Sequence, residues 1–204
     1  MPTGHCSCHA TTHATRLVVI TGGPGAGKTA LLELARRDLC EHVVILPEAA
    51  GIVYGGGFPR RDDPTSRYAA QRAIYHVQRE LEREVLDAGR AALVLCDRGT
   101  LDAAAYWPGD PDELWRDVGS SAAAELARYA AVIHLRTPPP PAYNHHNPLR
   151  IETAAEAARI DARLAEVWRA HPRRFFVEHY PDFVEKARAA LALLRDEVPR
   201  CCAR

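Results

Sequence analysis

Between Leu17 and Thr29 the chain reads LVVITGGPGAGKT. A short apolar, β-branched run leads straight into G-x-x-x-x-G-K-[ST] and then into a helical pattern. Gly22, Gly23, Gly25 and Gly27 let the backbone curl so that successive N–H groups point inward and form a nest for a β-phosphate. Lys28 can reach the β- and γ-phosphates as a point charge, and the Thr29 hydroxyl can ligate Mg²⁺. A helix predicted from about Thr29 to Cys40 aims its positive end at the same phosphates. The predicted contacts are therefore Gly22, Gly23, Pro24, Gly25, Ala26, Gly27, Lys28, Thr29 and Ala30, and the implied ligand is ATP or another nucleoside triphosphate with Mg²⁺.

Two carboxylates belong with this loop. Asp97 follows the apolar run Ala91–Cys96 and supplies the second half of a Mg²⁺-nucleotide site. Glu48 ends the run Val43–Leu46 in LPEAAG, and the strand ends of an open parallel sheet face one crevice. There Glu48 can take the proton of a hydroxyl attacking the γ-phosphate, or orient that hydroxyl. Capping a helix or supporting a metal ligand is the competing role. Arg98, next to Asp97, can hold an acceptor's anionic or hydroxyl group, or pair at the surface with Asp102.

Arg136 opens and Arg150 closes a proline-rich stretch, TPPPPAYNHHNPL, which reads either as a stiff connector or as a lid over the phosphates. A mobile arginine that closes on the γ-phosphoryl oxygens stabilises the charge spread over them. Arg150 lies at the junction of loop and helix and is preferred for that role, with pairing to Glu152 as the alternative. Tyr143, Asn144, His145, His146 and Asn147 are placed to read a nucleotide or an acceptor, although paired loop histidines are more often solvated.

The first residues carry His5, Cys6, Cys8, His9 and His13, and Cys201-Cys202 stands at the other end. Their spacing is irregular and their flanks lack hydrophobic periodicity, so an adventitious grouping is expected in preference to a zinc site.

These groups need a scaffold that gathers strand ends. Five apolar runs, Leu17–Thr21, Val43–Leu46, Ala91–Cys96, Ala131–Leu135 and Arg174–Val177, alternate with helical patterns, the signature of a parallel sheet covered on both faces. A helix is predicted over Thr65–Ala88, with Asp63-Pro64-Thr65 as its start and Gly89 as its stop. Glu152–Ala170 and Asp182–Val198 read as two more. Gly51–Pro64, with its GGG and RRDDP, reads as a mobile loop. Residues 1–16 read as a flexible leader, 17–198 as a single domain with its lid near 137–150, and 199–204 as a tail.

A length of 204 residues suits one domain, and 47% apolar with 25% charged residues is ordinary for a globular protein. Formal net charge is zero, and the arginines alternate with acids instead of forming a stripe, so neither nucleic acid nor a membrane is an expected partner. Only Lys28 and Lys186 are lysines. No apolar run is long enough for a signal core or a span, so a cytoplasmic chain with free thiols is expected. Oligomeric state is left open.

GGPGAGKT, PEAA, DRG with a following acid and AYW, and HLRTPPPPAYNHHNPLRIE before a helix together resemble one family of small P-loop proteins. It is the AAA-type ATPase-like family that includes the nicotinamide-riboside kinase portion of bacterial NAD regulators. The likeness runs from Leu17 to about Val198. It implies the three-layer sandwich of P-loop nucleoside and nucleotide kinases, with a five-stranded parallel sheet in the order 2-3-1-4-5. It also implies Lys28, Thr29 and Asp97 at ATP and Mg²⁺, Glu48 and Arg98 toward the acceptor, and Arg150 in the lid. No nucleotidyltransferase-like pattern accompanies these motifs, so a regulator role is not implied.

The reading that covers these residues together is an ATP- and Mg²⁺-dependent phosphotransferase acting on a small hydroxyl-bearing acceptor. A nucleotide-binding regulatory module with slow hydrolysis is the alternative. A guanine switch is disfavoured, because Asp97 is followed by Arg98, Gly99 and Thr100 instead of D-x-x-G, and [NT]-K-x-D is absent. The chain is short for a ring-forming motor.

Overall fold

A computed structural model describes residues 6–139 and 153–202. Its strands are β1 (Arg16–Thr21), β2 (Val43–Leu46), β3 (Leu93–Asp97), β4 (Ala131–Leu135) and β5 (Arg174–Val177). They form one all-parallel sheet in the order β2-β3-β1-β4-β5, the α/β order that the resemblance implies. Side-chain alternation explains why the sheet must be covered twice. In β1, Leu17 and Val19 enter one buried cluster while Val18 and Ile20 enter the other.

Helices α1 (Lys28–Asp38) and α8 (Phe183–Glu197) close the face of Val18 and Ile20, through Leu31, Ala35, Ala190 and Leu194. The opposite face is closed by α3 (Pro64–Ala88) and α4 (Asp102–Tyr106), then α5 (Pro111–Val118), α6 (Ala122–Leu126) and Trp168, which follows α7 (Ala154–Val167). The predicted signals at α3 work as expected. The Asp63 carboxylate accepts from Ser66 N at 2.9 Å, and Gly89 ends the helix at φ 61°.

The expected loop over Gly51–Pro64 is corrected in its first part. Helix α2 (Ala49–Gly55) runs through it and packs on α3 through the buried Ala49 and Val53, so tertiary packing overrides the weak helix propensity of its glycines. α7 is shorter than its predicted range and starts with a capping box between Thr153 and Glu156. Residues 6–15, read as part of a leader, form no regular element and lie against the domain, with His13 N donating to Gly89 O at 2.7 Å and Thr15 Oγ1 to Ala91 O at 2.7 Å. Among the described residues no helix is long and apolar enough to cross a membrane.

Candidate functional site

β1 delivers the chain to the glycine-rich turn. Gly22 takes φ 137°, and a Cβ there would lie 2.1 Å from Leu135 O, so only glycine lets the loop pass the end of β4. Gly27, at φ 94°, is the N-cap of α1 and adds no side-chain cap, which leaves the first amides of the helix for a ligand. Lys28 Nζ donates to Gly22 O at 2.9 Å and Gly23 O at 3.3 Å.

Two residues that sequence reasoning missed brace this loop from behind. Asp161 on α7 accepts from Gly23 N at 3.0 Å, from His134 Nε2 at 2.8 Å and from Arg136 Nη1 at 2.9 Å. Lys186 on α8, 3% exposed, donates to Ala26 O at 2.9 Å and Arg136 O at 2.6 Å. Its one signal in the sequence is that it shares with Lys28 the status of being a lysine in an arginine-rich chain.

A cleft of about 700 Å³ opens beside the loop, lined by residues 24–30, Glu48, Asp97, Arg98 and the α3 residues Gln71, Ile74, Tyr75 and Gln78. It thus brings together Lys28, Thr29, Glu48, Asp97 and Arg98 from the ends of β1, β2 and β3. Asp97 Oδ1 is buried and has no hydrogen-bond partner among the described residues. Together with the Thr29 hydroxyl it offers the hard oxygen donors that Mg²⁺ requires, so the residues present fit that ion.

Arg98 organises the carboxylates of the cleft. Its backbone sits at φ 75°, strained for a non-glycine residue. In return its Nε donates to Glu48 Oε1 at 2.6 Å and its Nη1 to Asp102 Oδ2 at 3.2 Å. Asp102, 3% exposed, also accepts from Thr21 Oγ1 at 2.8 Å and Trp168 Nε1 at 2.6 Å. Arg98 therefore faces the cleft and pairs with Asp102 as well, and that pair is largely buried instead of lying at the surface. Glu48 is the N-cap residue of α2 without a side-chain cap bond.

Charge balance in the cleft sets its protonation. Burial, reinforced by Glu48 and Asp102, raises the Asp97 carboxyl to about 6 against the pull of Lys28 and Arg98. Burial and the nearby Arg98 charge lower Lys28 to about 8. Burial pushes Glu48 upward, but the Arg98 charge and hydrogen bond, with Lys28, hold it below its ordinary value. An ionised, arginine-bound Glu48 is a weak proton acceptor and a good orienting group. Mg-nucleotide affinity should therefore fall about tenfold per pH unit below about pH 6, as Asp97 protonates, and decline again above about pH 8, as Lys28 loses its proton. Titration of a fluorescent nucleotide between about pH 5 and 9.5 checks this, and a flat acid limb would remove Asp97 from the metal role.

Behind the cleft lies a buried polar network that the sequence did not disclose. Glu125 accepts from Tyr75 Oη at 2.7 Å, Thr100 Oγ1 at 2.8 Å, Ser120 Oγ at 2.6 Å and Arg128 Nη1 at 2.9 Å. Glu82, fully buried, accepts from Tyr129 Oη at 2.9 Å and from Arg128 Nη2, while Tyr129 Oη accepts from Thr100 N at 2.9 Å. These bonds fix the Arg98–Thr100 turn to α3 and α6, so the left-handed arginine is held from both sides.

Arg136 is not among the residues lining the cleft; its guanidinium pairs with Asp161 and lies over the Phe176 ring. Arg150, Tyr143, Asn144, His145, His146 and Asn147 lie outside the described residues, as does most of the 137–150 segment. Its first residue, Thr137, donates from Oγ1 to Pro24 O at 3.3 Å. A family model described as "AAA domain" matches residues 17–186. A comparison with curated proteins returns no match.

Proposed function

We propose that this chain, which belongs to the AAA domain family, is an ATP- and Mg²⁺-dependent phosphotransferase that moves the γ-phosphoryl group to a small hydroxyl-bearing acceptor. The family relation carries nucleotide binding with hydrolysis or phosphoryl transfer in general terms. Support for a transferase comes from one observation, the built acceptor side of the cleft: Glu48 and Asp102 on one guanidinium, facing the polar side chains of α3. In this reading the loop amides and Lys28 hold the β- and γ-phosphates, and Thr29 and Asp97 hold Mg²⁺, which supplies charge neutralisation at the transferred group. Arg98 and Glu48 fix the acceptor hydroxyl in line. A nucleoside acceptor would suit the resemblance to nicotinamide-riboside kinases. The chain is read as cytoplasmic, without nucleic-acid or membrane partners.

A second reading, a regulatory module with slow hydrolysis, is favoured by the 2.6 Å Arg98–Glu48 bond, which engages the carboxylate that would receive a proton. Transfer from γ-labelled Mg-ATP to a pooled panel of nucleosides and small alcohols separates the two. A labelled product is expected, falling about 10²-fold in Glu48→Gln as the charge that orients Arg98 and the acceptor is lost. Bound ATP with water as the sole acceptor would sink the transferase reading.

A further inference from the structure

The cysteines and histidines read as adventitious converge at the edge of the sheet opposite the cleft. Cys40 forms a β-bridge after α1 and His42 stands just before β2. Cys6 and Cys8 arrive from the first residues, and Cys201 and Cys202 from the turn after α8. One donor atom each of Cys6, Cys40, His42 and Cys202 lies within 4.8 Å of the others, and the same holds for Cys8, His13, Cys201 and Cys202. His5 is outside the described residues, and His9 belongs to neither quartet.

Within each quartet several of the spacings are close to those of ligands about one ion. Bond lengths of about 2.3 Å for Zn–S and about 2.0–2.1 Å for Zn–N give tetrahedral edges of about 3.8 Å between sulfurs and about 3.5 Å between sulfur and nitrogen. Cys6 Sγ and Cys202 Sγ lie 3.2 and 3.5 Å from His42 Nδ1, and Cys201 Sγ lies 3.8 Å from Cys202 Sγ. Cys201 Sγ is 3.9 Å from His13 Nδ1.

Hydrogen bonding does not explain the arrangement. Two thiols converge on one ring nitrogen, which has a single lone pair to offer. Hydrophobic burial is equally short of an explanation, because the local cluster has only Cys40, Ala92 and Cys202 fully inside. All six cysteines are free, and Cys96 sits apart in β3.

We propose that these side chains form a structural zinc centre, with one ion held by Cys6, Cys40, His42 and Cys202 and a second held by Cys8, His13, Cys201 and the shared Cys202 thiolate. Nitrogen and thiolate donors in a closed tetrahedral set select zinc over the hard ions of the phosphate site. The centre clips both ends of the described chain to the start of β2, away from the cleft, so its role is to hold the fold together.

The test is metal analysis of the full, untagged chain purified under reducing conditions without chelator. About two zinc ions per chain are expected, with one lost in Cys40→Ser, the other lost in Cys201→Ser, both lost in Cys202→Ser and both kept in Cys96→Ser. Because a variant can fail to fold, Co²⁺ is also exchanged into the parent protein, where thiolate-to-cobalt charge-transfer and tetrahedral d–d bands are expected. No zinc after repletion with no such bands, or a disulfide among these cysteines under reducing conditions, overturns the centre. A parent chain that binds one zinc, and keeps all of it in both Cys8→Ser and Cys201→Ser, overturns the second ion and the shared thiolate.

Discussion

Lys28→Ala should lower turnover of Mg-nucleotide by roughly 10²–10³-fold, the size of losing one preorganised donor at a developing anion, without lowering the thermal midpoint. Among the described residues the Lys28 ammonium bonds only to Gly22 O and Gly23 O, and burial beside Arg98 draws its pKa from 10.5 to about 8. A lysine whose pKa falls on folding opposes the fold while it is charged. That penalty is fully present below about pH 8 and fades as pH rises through about 8 toward the unfolded value. At neutral pH alanine removes the penalty together with the function. Paired turnover and calorimetric measurements check this, and a clear fall in midpoint would show that the lysine is structural.

Asp161→Ala should act in the opposite sense, on the fold first. Gly23 N, His134 Nε2 and Arg136 all bond to a carboxylate that is 3% exposed. Burial pushes that carboxyl upward, but its bonds to His134 and Gly23 N and the charges of His134 and Arg136 hold it below its ordinary value. Its contribution is therefore present above the unfolded pKa and lost as pH falls through the lower folded one. Truncation leaves three donors without their acceptor and is expected to cost about 3–5 kcal/mol. For a domain of this size the midpoint should drop by roughly 6–20 °C. Nucleotide affinity should weaken as well, since Asp161 holds Gly23 of the glycine-rich loop. A shift below about 3 °C would mean that water replaces the carboxylate without loss.

The strands were legible because each is a short apolar run bounded by turn residues, and the phosphate loop because its glycine spacing is dictated by backbone geometry. Asp97 and Glu48 followed once strand ends were known to share one edge. Helices α4 and α6, five residues each, are too short to show a helical period, and α2 was hidden by its glycines. The bracing residues were invisible for another reason. Asp161 meets Gly23 across 138 positions and Lys186 meets Ala26 across 160. Glu82 and Glu125 look like solvated acids on amphipathic helices until Arg128 and Tyr129 are folded onto them. Periodicity reports which face is apolar, and says nothing of a buried polar group whose partner is remote.

The left-handed backbone of Arg98 narrows the routes by which this cleft can change. Glycine or asparagine would suit the backbone there and abandon both carboxylates, whereas lysine would keep a charge but neither the forked geometry nor an easier backbone. No single replacement improves one requirement without surrendering the other. Selection for stability alone and selection for activity alone would therefore pull this codon in different directions, and a change in what the cleft takes is more accessible through the side chains of α3 than through Arg98 itself.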